Sequence, residues 1–391
     1  MSRLEELIQR LCPDGVPYKT IKETIGLHRG SRLTKNQLSD EFEYEVFHGS
    51  KDTILGRYSD FNAPANTTII VNTGGIGGVK YIDRNFWCSD GSFWLGKSKE
   101  LDDKFVYYCL SGYENYFASK KRVGGVPTID RTVVEEFKIP VPPMEVQLEI
   151  VRILDKFTEL TAELTAELTA RKKQYEYYKA NLLTFGDNVR YKKLGEIASV
   201  KGRVGWQRLT KSEYRTKGDY YLVTGTDFMN DGTINFANCF YVDEFRYNQD
   251  ENIQLKINDI VLTKDGTIGK VAMIHALDKP ATLNSHLVVF RPLNGDFLPR
   301  FLYHILKSST FMSYAMSKCS QGTIKGLPQS IIAQFNMPLP SLNEQQKIAD
   351  LLDKFDIYCN NLTIGLPAEI KARQQQYEYY RDKLLTFKEA K

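Results

Sequence analysis

Apolar residues recur at alternating spacings of four and three between residues 150 and 185. The series is Ile150, Leu154, Phe157, Thr161, Leu164, Leu168, Arg171, Tyr175, Tyr178, Leu182 and Phe185. Such a heptad seam, here with two polar interruptions, is typical of a helix that packs along one partner helix. The pattern therefore predicts a helix of roughly 60 Å at 1.5 Å per residue.

A second seam lies toward the end of the sequence, in two runs. The first run is Ile348, Leu352, Phe355, Cys359 and Leu362, and the second is Ile370, Arg373, Tyr377, Tyr380, Leu384 and Phe387. Gly365 and Pro367 lie between the runs, where they predict a break or kink with a four-residue stutter. Two single seams are predicted to pack on each other in antiparallel fashion. The alternative, that each helix packs on its own domain, stays open.

The two seams belong to an internal repeat. IPVPPMEVQLEIVRILDKF (139–157) matches MPLPSLNEQQKIADLLDKF (337–355), and QYEYYKANLLTF (174–185) matches QYEYYRDKLLTF (376–387). Weaker matches relate 14–23 to 187–196 and 72–79 to 264–271. Because a repeat dictates architecture, each half is predicted to be a variable domain followed by a similar helix.

The variable stretches alternate short β-rich runs with turns. TTIIVNTGG, KFVYYCL, DIVLTKDG, KVAMIHA and HLVVFRP are predicted strands, and PRFLYHILKS is a predicted helix. The predicted fold class is α+β: two similar mixed α/β domains, separated by two long antiparallel coiled-coil helices, with a pseudo-twofold internal repeat. The predicted segments are a first domain with a short N-terminal helix at 1–138, a first helix at 139–188, a second domain at 189–336 and a second helix at 337–391.

Composition excludes several classes of protein. Hydrophobic residues make up 42% and charged residues 26% of the chain, mean hydropathy is −0.38, and no apolar run approaches the length of a membrane span. The acidic start argues against export and predicts a cytoplasmic protein. Six scattered cysteines and five histidines show no zinc or disulfide spacing. Neither GGIGG (74–78) nor GTIGKV (266–271) completes a nucleotide-binding loop, and no adenine methyltransferase motif of the type [DN]PP[YF] is present.

Charge is distributed unevenly. The formal net charge is only +4, but nine basic residues stand against two acids between Arg190 and Lys217. A field of that sign attracts polyanions such as nucleic acid. A solvated face is the alternative for such a run taken alone.

The two helical repeats resemble those of the specificity subunit of type I restriction-modification systems. The resemblance is carried by IPVPP…EIVRILDKF, by LPSLNEQQKIADLLDKF and by the QYEYY segment that follows each of them. The resemblance covers essentially the whole chain, and the TAEL tandem is similar to the IC-like branch. It implies a non-catalytic subunit in which each variable domain, a target recognition domain, reads one half of a bipartite site in double-stranded DNA. It also implies that the helices dock two modification subunits, which bind S-adenosylmethionine and methylate adenine, and that two restriction subunits can join. No cofactor is expected in this chain. The recognised bases, the spacer length and the presence of restriction subunits stay open.

Candidate DNA-binding residues lie in loops at equivalent places in the two halves. They are His28, Arg29, Arg32 and Lys35 after the first framework strand; Lys201, Arg203, Gln207 and Arg208 after the second; Asn72, Thr73, Lys264 and Asp265 beside the glycine-rich loops; and Lys120, Lys121, Arg122, Lys318 and Lys325 ahead of the helices. Glycine permits close approach of backbone to another surface, and Arg and Gln can bind guanine and adenine with two hydrogen bonds each. Tight hairpins and solvated loops are the alternatives.

The tract FTELTAELTAELTA, residues 157–170, is a four-residue tandem within the first predicted helix. One unit adds about 6 Å and a net turn of about 40°, whereas one base pair adds about 3.4 Å and about 35°. We therefore predict that the tract sets the spacing between the half-sites. A slippage-prone stretch without this function is the alternative.

Two other classes of function remain to be distinguished. A self-contained methyltransferase or nuclease would transfer methyl groups or cut DNA as the purified chain. A protein-interaction scaffold would show no binding to DNA, or binding that ignores salt.

Overall fold

The computed structural model describes residues 2–122, 124–319, 326–360 and 365–390; the side chains of Trp206 and Asn360 are not described. The chain forms two compact units. Unit 1 comprises Met1–Glu163 with Lys371–Lys391, and unit 2 comprises Leu164–Ile370. The predicted division into four segments stays a prediction.

Unit 1 begins with a capped helix and continues through short strands. Its elements are α1 (Arg3–Leu11), β1 (Tyr18–Thr20), α2 (Ile21–Thr24), β2 (Leu27–Arg29), β3 (Tyr44–Phe47), β4 (Gly56–Tyr58), β5 (Thr67–Val71), β6 (Val79–Ile82), β7 (Trp87–Cys88), β8 (Ser92–Leu95), α3 (Asp103–Ser111), α4 (Glu114–Ser119), α5 (Arg131–Glu135), β9 (Lys138–Pro140) and the first part of α6 (Met144–Leu182).

Unit 2 begins within α6, and its elements follow the order found in unit 1, with helix α8 (Glu244–Asn248) in addition. They are β10 (Arg190–Lys193), α7 (Leu194–Ile197), β11 (Ala198–Lys201), β12 (Tyr220–Val223), β13 (Phe240–Val242), α8 (Glu244–Asn248), β14 (Ile260–Thr263), β15 (Val271–Met273), β16 (Ala281–Leu283), β17 (Leu287–Pro292), α9 (Pro299–Leu306), α10 (Ser309–Lys318), α11 (Gln329–Ala333), β18 (Asn336–Leu339), α12 (Leu342–Asn360) and the start of α13 (Leu366–Leu384).

Sheet topology is the same in the two units. Unit 1 contains sheets ordered β2-β8-β5-β6, β4-β3-β7 and β1-β9, and unit 2 contains β11-β17-β14-β15, β13-β12-β16 and β10-β18. The β3–β7 and β12–β16 pairs are parallel, and the other pairs are antiparallel. The repeated mixed α/β architecture predicted from the sequence is therefore confirmed at the level of strand order.

One predicted strand is wrong. KFVYYCL lies in helix α3, which begins after Asp102, whose side chain accepts hydrogen bonds from the backbone N–H groups of Lys104 and Phe105. Phe105 and Leu110 are completely buried in the core of unit 1, together with residues of α6. The aromatic and β-branched content suggested a strand, but this segment packs as a helix, as does PRFLYHIL (α9) at the equivalent place in unit 2.

Each part of α6 packs on the unit to which it belongs. Ile150 and Leu154 are completely buried in the core of unit 1, whereas Tyr175 and Leu183 lie in the core of unit 2. Leu384, near the end of α13, packs against the core of unit 1. The helices therefore pack on domains as well as along their seams.

The predicted seams bring the LDKF and QYEYY segments together. In unit 1 the ring of Phe157 stacks on that of Tyr380 at 5.4 Å. In unit 2 Phe355 stacks on Tyr175 at 5.9 Å and on Tyr178 at 6.2 Å. Leu154 and Leu352 are completely buried, whereas the remaining described leucines of the seam are half-buried; they are Leu164, Leu168, Leu182 and Leu384.

The pairing of α6 with α12 in unit 2 is antiparallel. Toward the start of this part of α6 the charge of Lys172 acts on Cys359, and further along Tyr178 meets Phe355. α12 ends at Asn360 and α13 begins at Leu366, after Gly365 at a φ of 82°. The break predicted around Gly365 is thus present, and the predicted seam residue Leu362 lies outside the described residues.

Candidate nucleic-acid interface

Two of the predicted loops emerge at one edge of the four-stranded sheet in unit 1. The backbone N–H of Gly30, after β2, donates to Ser92 O at 3.2 Å, and that of Asn72, after β5, donates to Gly91 O at 3.1 Å. Because β2 and β5 both pair with β8 in antiparallel fashion, their carboxyl ends flank the start of β8. We call this end of the sheet the loop edge.

Unit 2 has the same loop edge. Lys201, at the end of β11, pairs with Val289, and Thr263, at the end of β14, pairs with Leu287, so both strands end beside the start of β17. The backbone N–H of Lys264 donates to His286 O at 2.9 Å. The two halves therefore present their loops at equivalent edges.

A basic groove of about 620 Å³ lies beside β2 in unit 1. His28 stacks on Trp94 at 4.0 Å, and Arg29 and Lys22 line the same groove. Arg131, at the start of α5, donates to the Leu27 carbonyl oxygen at 2.8 Å, and its guanidinium also pairs with Glu135. His28 and Arg29 are exposed, as the sequence predicts for residues that contact DNA.

The glycine-rich loops are tight hairpins that join the segment before α5 or α11. In unit 1, Thr73 bridges Thr128, and in unit 2 Asp265 bridges Gly326. The turns match as well, because the N–H of Gly77 donates to Val71 O at 2.8 Å and that of Gly269 to Thr263 O at 3.0 Å. The repeat between 72–79 and 264–271 thus has a structural basis.

Several polar residues of these hairpins are not exposed to solvent. Asn72 is buried, Thr73 is half-buried, and the Lys264 side chain, only 14% exposed, pairs with Asp265 at 2.8 Å. These positions are less accessible than the sequence suggested. The segment before α5 or α11 pairs with the backbone at these positions, since Ile129 N–H donates to Asn72 O and Leu327 N–H donates to Lys264 O.

The basic segments ahead of the helices are exposed. In unit 1 the bridge between Arg122 and Thr128 joins this segment to the hairpin, and Arg122 pairs with Asp130 at 2.5 Å. Lys120 lies over the Tyr116 ring at 5.3 Å, and Lys121 makes no ion pair with any described residue. In unit 2, Lys318 is exposed at the end of α10, whereas Lys325 lies outside the described residues.

Arg203 and Gln207 require a correction, because the structure gives them a structural role. Each is 3% exposed. The Arg203 guanidinium donates to Leu283 O at 2.6 Å and to Gln249 Oε1 at 3.2 Å, and Gln207 donates to Asp250 Oδ2 at 3.1 Å. Burial lowers the pKa of Arg203 to about 10. Neither side chain is exposed for contact with DNA, because residues of β16, of α8 and of the segment after α8 bind them.

Arg32, Lys35, Lys201 and Arg208 are exposed and form no ion pair with a described residue. Arg32 and Lys35 belong to the tetrapeptide RLTK at 32–35, and RLTK recurs at 208–211. This match relates Lys35 to Lys211, which the sequence analysis did not single out. A tetrapeptide comparison between the two connections after β2 and β11 would have found it.

Buried glutamines fix each domain to its helix. Gln147 accepts from Asp102 N at 2.8 Å and donates to the carbonyl oxygens of Glu100 and Pro142. Gln345 likewise accepts from Leu298 N at 2.9 Å and donates to the carbonyl oxygens of two residues, Asp296 and Pro340. Both glutamines are completely buried and occupy equivalent positions in the repeat. The alignment of the two repeats contains this signal, since it pairs Gln147 with Gln345.

The aspartates of the two LDKF segments form equivalent polar anchors. Asp155 accepts from Lys104 Nζ at 2.8 Å and from the Tyr108 hydroxyl at 2.5 Å. Asp353 pairs with Arg300 and His304 on α9, with His304 Nε2 at 2.7 Å. Burial raises the pKa of Asp353, but hydrogen bonds from His304 and Arg300 outweigh it and hold this pKa at about 2. Burial lowers the pKa of His304.

Across the described ranges, no three His, Cys, Asp or Glu side chains are grouped so that they could hold a metal ion. In the same part of the chain no helix has the length and apolar content needed to cross a membrane. What the loop edges offer chemically is exposed guanidinium and ammonium groups, in unit 1 beside the ring of Trp94. Such groups suit phosphates and base edges.

A family model described as type I restriction modification DNA specificity domain matches this chain twice, at residues 13–171 and 186–372. The chain is 31% identical over 368 residues to the type I restriction enzyme EcoR124I/EcoR124II specificity subunit of Escherichia coli, covering 89% of this chain and 88% of that protein.

Solved structures share the fold. The type I restriction-modification S subunit from M. genitalium superposes with a TM-score of 0.58 at 20% identity, over 95% of this chain and 96% of that one. A chain from a structure describing complex assembly and conformational transition of the type I R-M system gives a TM-score of 0.63 at 14% identity, over 96% of this chain and 98% of the other.

Proposed function

Because the chain belongs to the family of type I restriction-modification DNA specificity proteins, we propose that it is the DNA-reading subunit of a type I restriction-modification complex. Each recognition domain reads one half of a bipartite site in double-stranded DNA. The chain is not itself an enzyme. Two modification subunits bind S-adenosylmethionine and methylate adenine, and restriction subunits join this core. We place the complex in the cytoplasm, where it has access to DNA.

The single observation that carries this proposal is the equivalence of the two loop edges. The same strand order occurs twice, and each copy ends in exposed basic residues that pair with no described acid, such as Arg32 and Arg208. Charged side chains kept unpaired on a protein surface attract a polyanion. Two such edges in one chain support two DNA contacts, one for each half-site.

The helices provide a different surface. Tyr177 on α6 and Tyr379 on α13 occupy equivalent repeat positions and are 65% and 61% exposed. Exposed tyrosines are favoured at protein interfaces because a large rigid ring loses little conformational entropy on binding. We assign these two tyrosines to the contact with the two modification subunits, one for each subunit.

The experiment is to express the chain with its modification subunits and to map methylated adenines by single-molecule sequencing. The expected result is one motif of two fixed half-sites separated by unread bases. The purified complex should bind a duplex that carries this motif with an affinity that falls steeply with salt. The chain alone should transfer no methyl group. Salt-independent binding, or the absence of a bipartite motif, would contradict the proposal and favour a protein scaffold.

A further inference from the structure

The connection between the two larger sheets carries the same four residues in both recognition domains. Arg-Leu-Thr-Lys occupies 32–35 between β2 and β3, and 208–211 between β11 and β12. The four residues just before it differ between the halves, since His-Arg-Gly-Ser occupies 28–31 and Val-Gly-Trp-Gln occupies 204–207. Where neighbouring residues have diverged, a shared tetrapeptide indicates a function that both domains need.

The middle residues of the tetrapeptide have a structural role. Leu33 is buried. Thr34 starts a turn of 3-10 helix in which its backbone N–H donates to Gln37 Oε1 at 2.8 Å. Thr210 repeats this contact with Glu213 Oε2 at 2.7 Å, and the hydrogen bonds from Thr210 contribute most to a Glu213 pKa of about 2. These contacts hold the turn in one conformation in each unit.

The outer residues of the tetrapeptide have no such role. Arg32, Lys35, Arg208 and Lys211 are exposed, and their side chains form no ion pair or hydrogen bond with any described residue. A nearby arginine behaves differently, since Arg215 pairs with Asp243 at 3.1 Å. The fold therefore explains the retention of Leu and Thr but not the retention of Arg and Lys.

We propose that the two RLTK turns are a matched pair of phosphate clamps, each holding the DNA backbone of one half-site through its Arg and Lys. This inference rests on the proposed function and deepens it. Base pairs differ in the pattern of donors and acceptors that they present, so identical side chains on identical turns are poorly suited to two different half-sites. Every nucleotide carries the same phosphate, and phosphate contacts fix register without reading sequence.

The test compares double variants in the complete complex with modification subunits. Arg32→Ala with Lys35→Ala removes one clamp, and Arg208→Ala with Lys211→Ala removes the other. The probe is a duplex carrying the motif that methylation mapping identifies, and the dissociation constant is measured from low to moderate salt. The slope of log affinity against log salt should become shallower by about 2 for each double variant.

Matched controls come from the opposite end of the same sheets. Lys99 follows β8, which runs away from the loop edge, and Lys256 precedes β14, which runs toward it. Both are exposed and form no ion pair with a described residue. Lys99→Ala and Lys256→Ala should leave the salt slope unchanged. Thermal unfolding of every variant should match the parent chain, because the substituted side chains are exposed and form no hydrogen bond or ion pair with a described residue.

The outcomes are distinct. A reduced slope with an unchanged methylated motif supports the clamps. An unchanged slope overturns them, and so does a reduced slope accompanied by a changed base in the motif, because that result would show base reading. If the parent complex itself has no salt-dependent binding to the motif, the proposed function fails. If the parent complex binds the motif with the expected salt dependence and the double variants show the same salt slope as the parent, the phosphate clamps fail while the proposed function stands.

Discussion

Replacement of Gln345 is expected to destabilise unit 2, because this side chain joins the second recognition domain to helix α12. The completely buried side chain makes three hydrogen bonds, at 2.9, 3.1 and 3.0 Å, to backbone groups of Leu298, Asp296 and Pro340. At about 1 kcal/mol net for each bond, Gln345→Ala should cost about 3 kcal/mol. For a unit of this size that is a fall of about 6 to 12 °C in the unfolding midpoint.

Differential scanning calorimetry of the full chain measures this fall directly. Gln346→Ala is the control, because Gln346 is exposed and, among the described residues, its side chain bonds only Asp350, one helical turn away; its effect should stay within about 0.5 kcal/mol. Gln147→Ala should destabilise unit 1 to a similar extent as Gln345→Ala destabilises unit 2, since Gln147 makes the equivalent three bonds.

A volume-conserving variant separates hydrogen bonding from packing. Gln345→Leu fills the space of the glutamine but leaves the same backbone groups without partners, which costs as much as losing the bonds. It should therefore be about as unstable as Gln345→Ala. If Gln345→Leu recovers the parental midpoint, a cavity rather than lost hydrogen bonds explains the effect, and the reasoning is refuted.

Three further outcomes are expected. Deleting or duplicating one TAEL unit, residues 161–164, should change the unread spacer by about one base pair and leave the half-site letters intact, and methylation mapping checks both. Burial lowers the pKa of His304 below 6.5 in the folded chain. As the pH falls, His304 is therefore protonated in the unfolded chain at a higher pH than in the folded chain. Unit 2 should thus lose stability from about pH 6.5 downward, less so in His304→Gln, with a further loss from Asp353 only below pH 3.8; equal pH profiles would count against this. Tyr177→Ala with Tyr379→Ala should weaken assembly with modification subunits at least tenfold without altering the motif, and unchanged assembly in gel filtration would show that these rings are merely exposed.

The helical repeats were predictable because their information is local. Seam residues such as Phe157 and Tyr380 recur at heptad spacing, and the LDKF and QYEYY segments are nearly identical in the two halves. The break before Leu366 was also predictable, since glycine and proline act on the backbone directly. For these elements the structure agrees with the pattern.

The candidate interface was less predictable, because exposure depends on residues distant in the sequence. Arg203 was predicted to be an exposed loop arginine, yet its guanidinium donates to Leu283 O on β16 and to Arg246 O on α8, 43 residues along the chain. KFVYYCL was predicted to be a strand, but it forms helix α3, which packs with α6 in the core of unit 1. Alignment with PRFLYHIL in the other half would have corrected that prediction from sequence alone.

The sequence by itself determined that this protein is a duplicated chain with paired seams and two divergent domains, because repeats and periodicity are properties of neighbouring residues. Only the tertiary structure decided which cations face outward and which are buried. It also placed Gln147 and Gln345 between each domain and its helix. The physical reason is that burial, hydrogen bonding and charge pairing arise from long-range contacts, which the order of residues along the chain does not display.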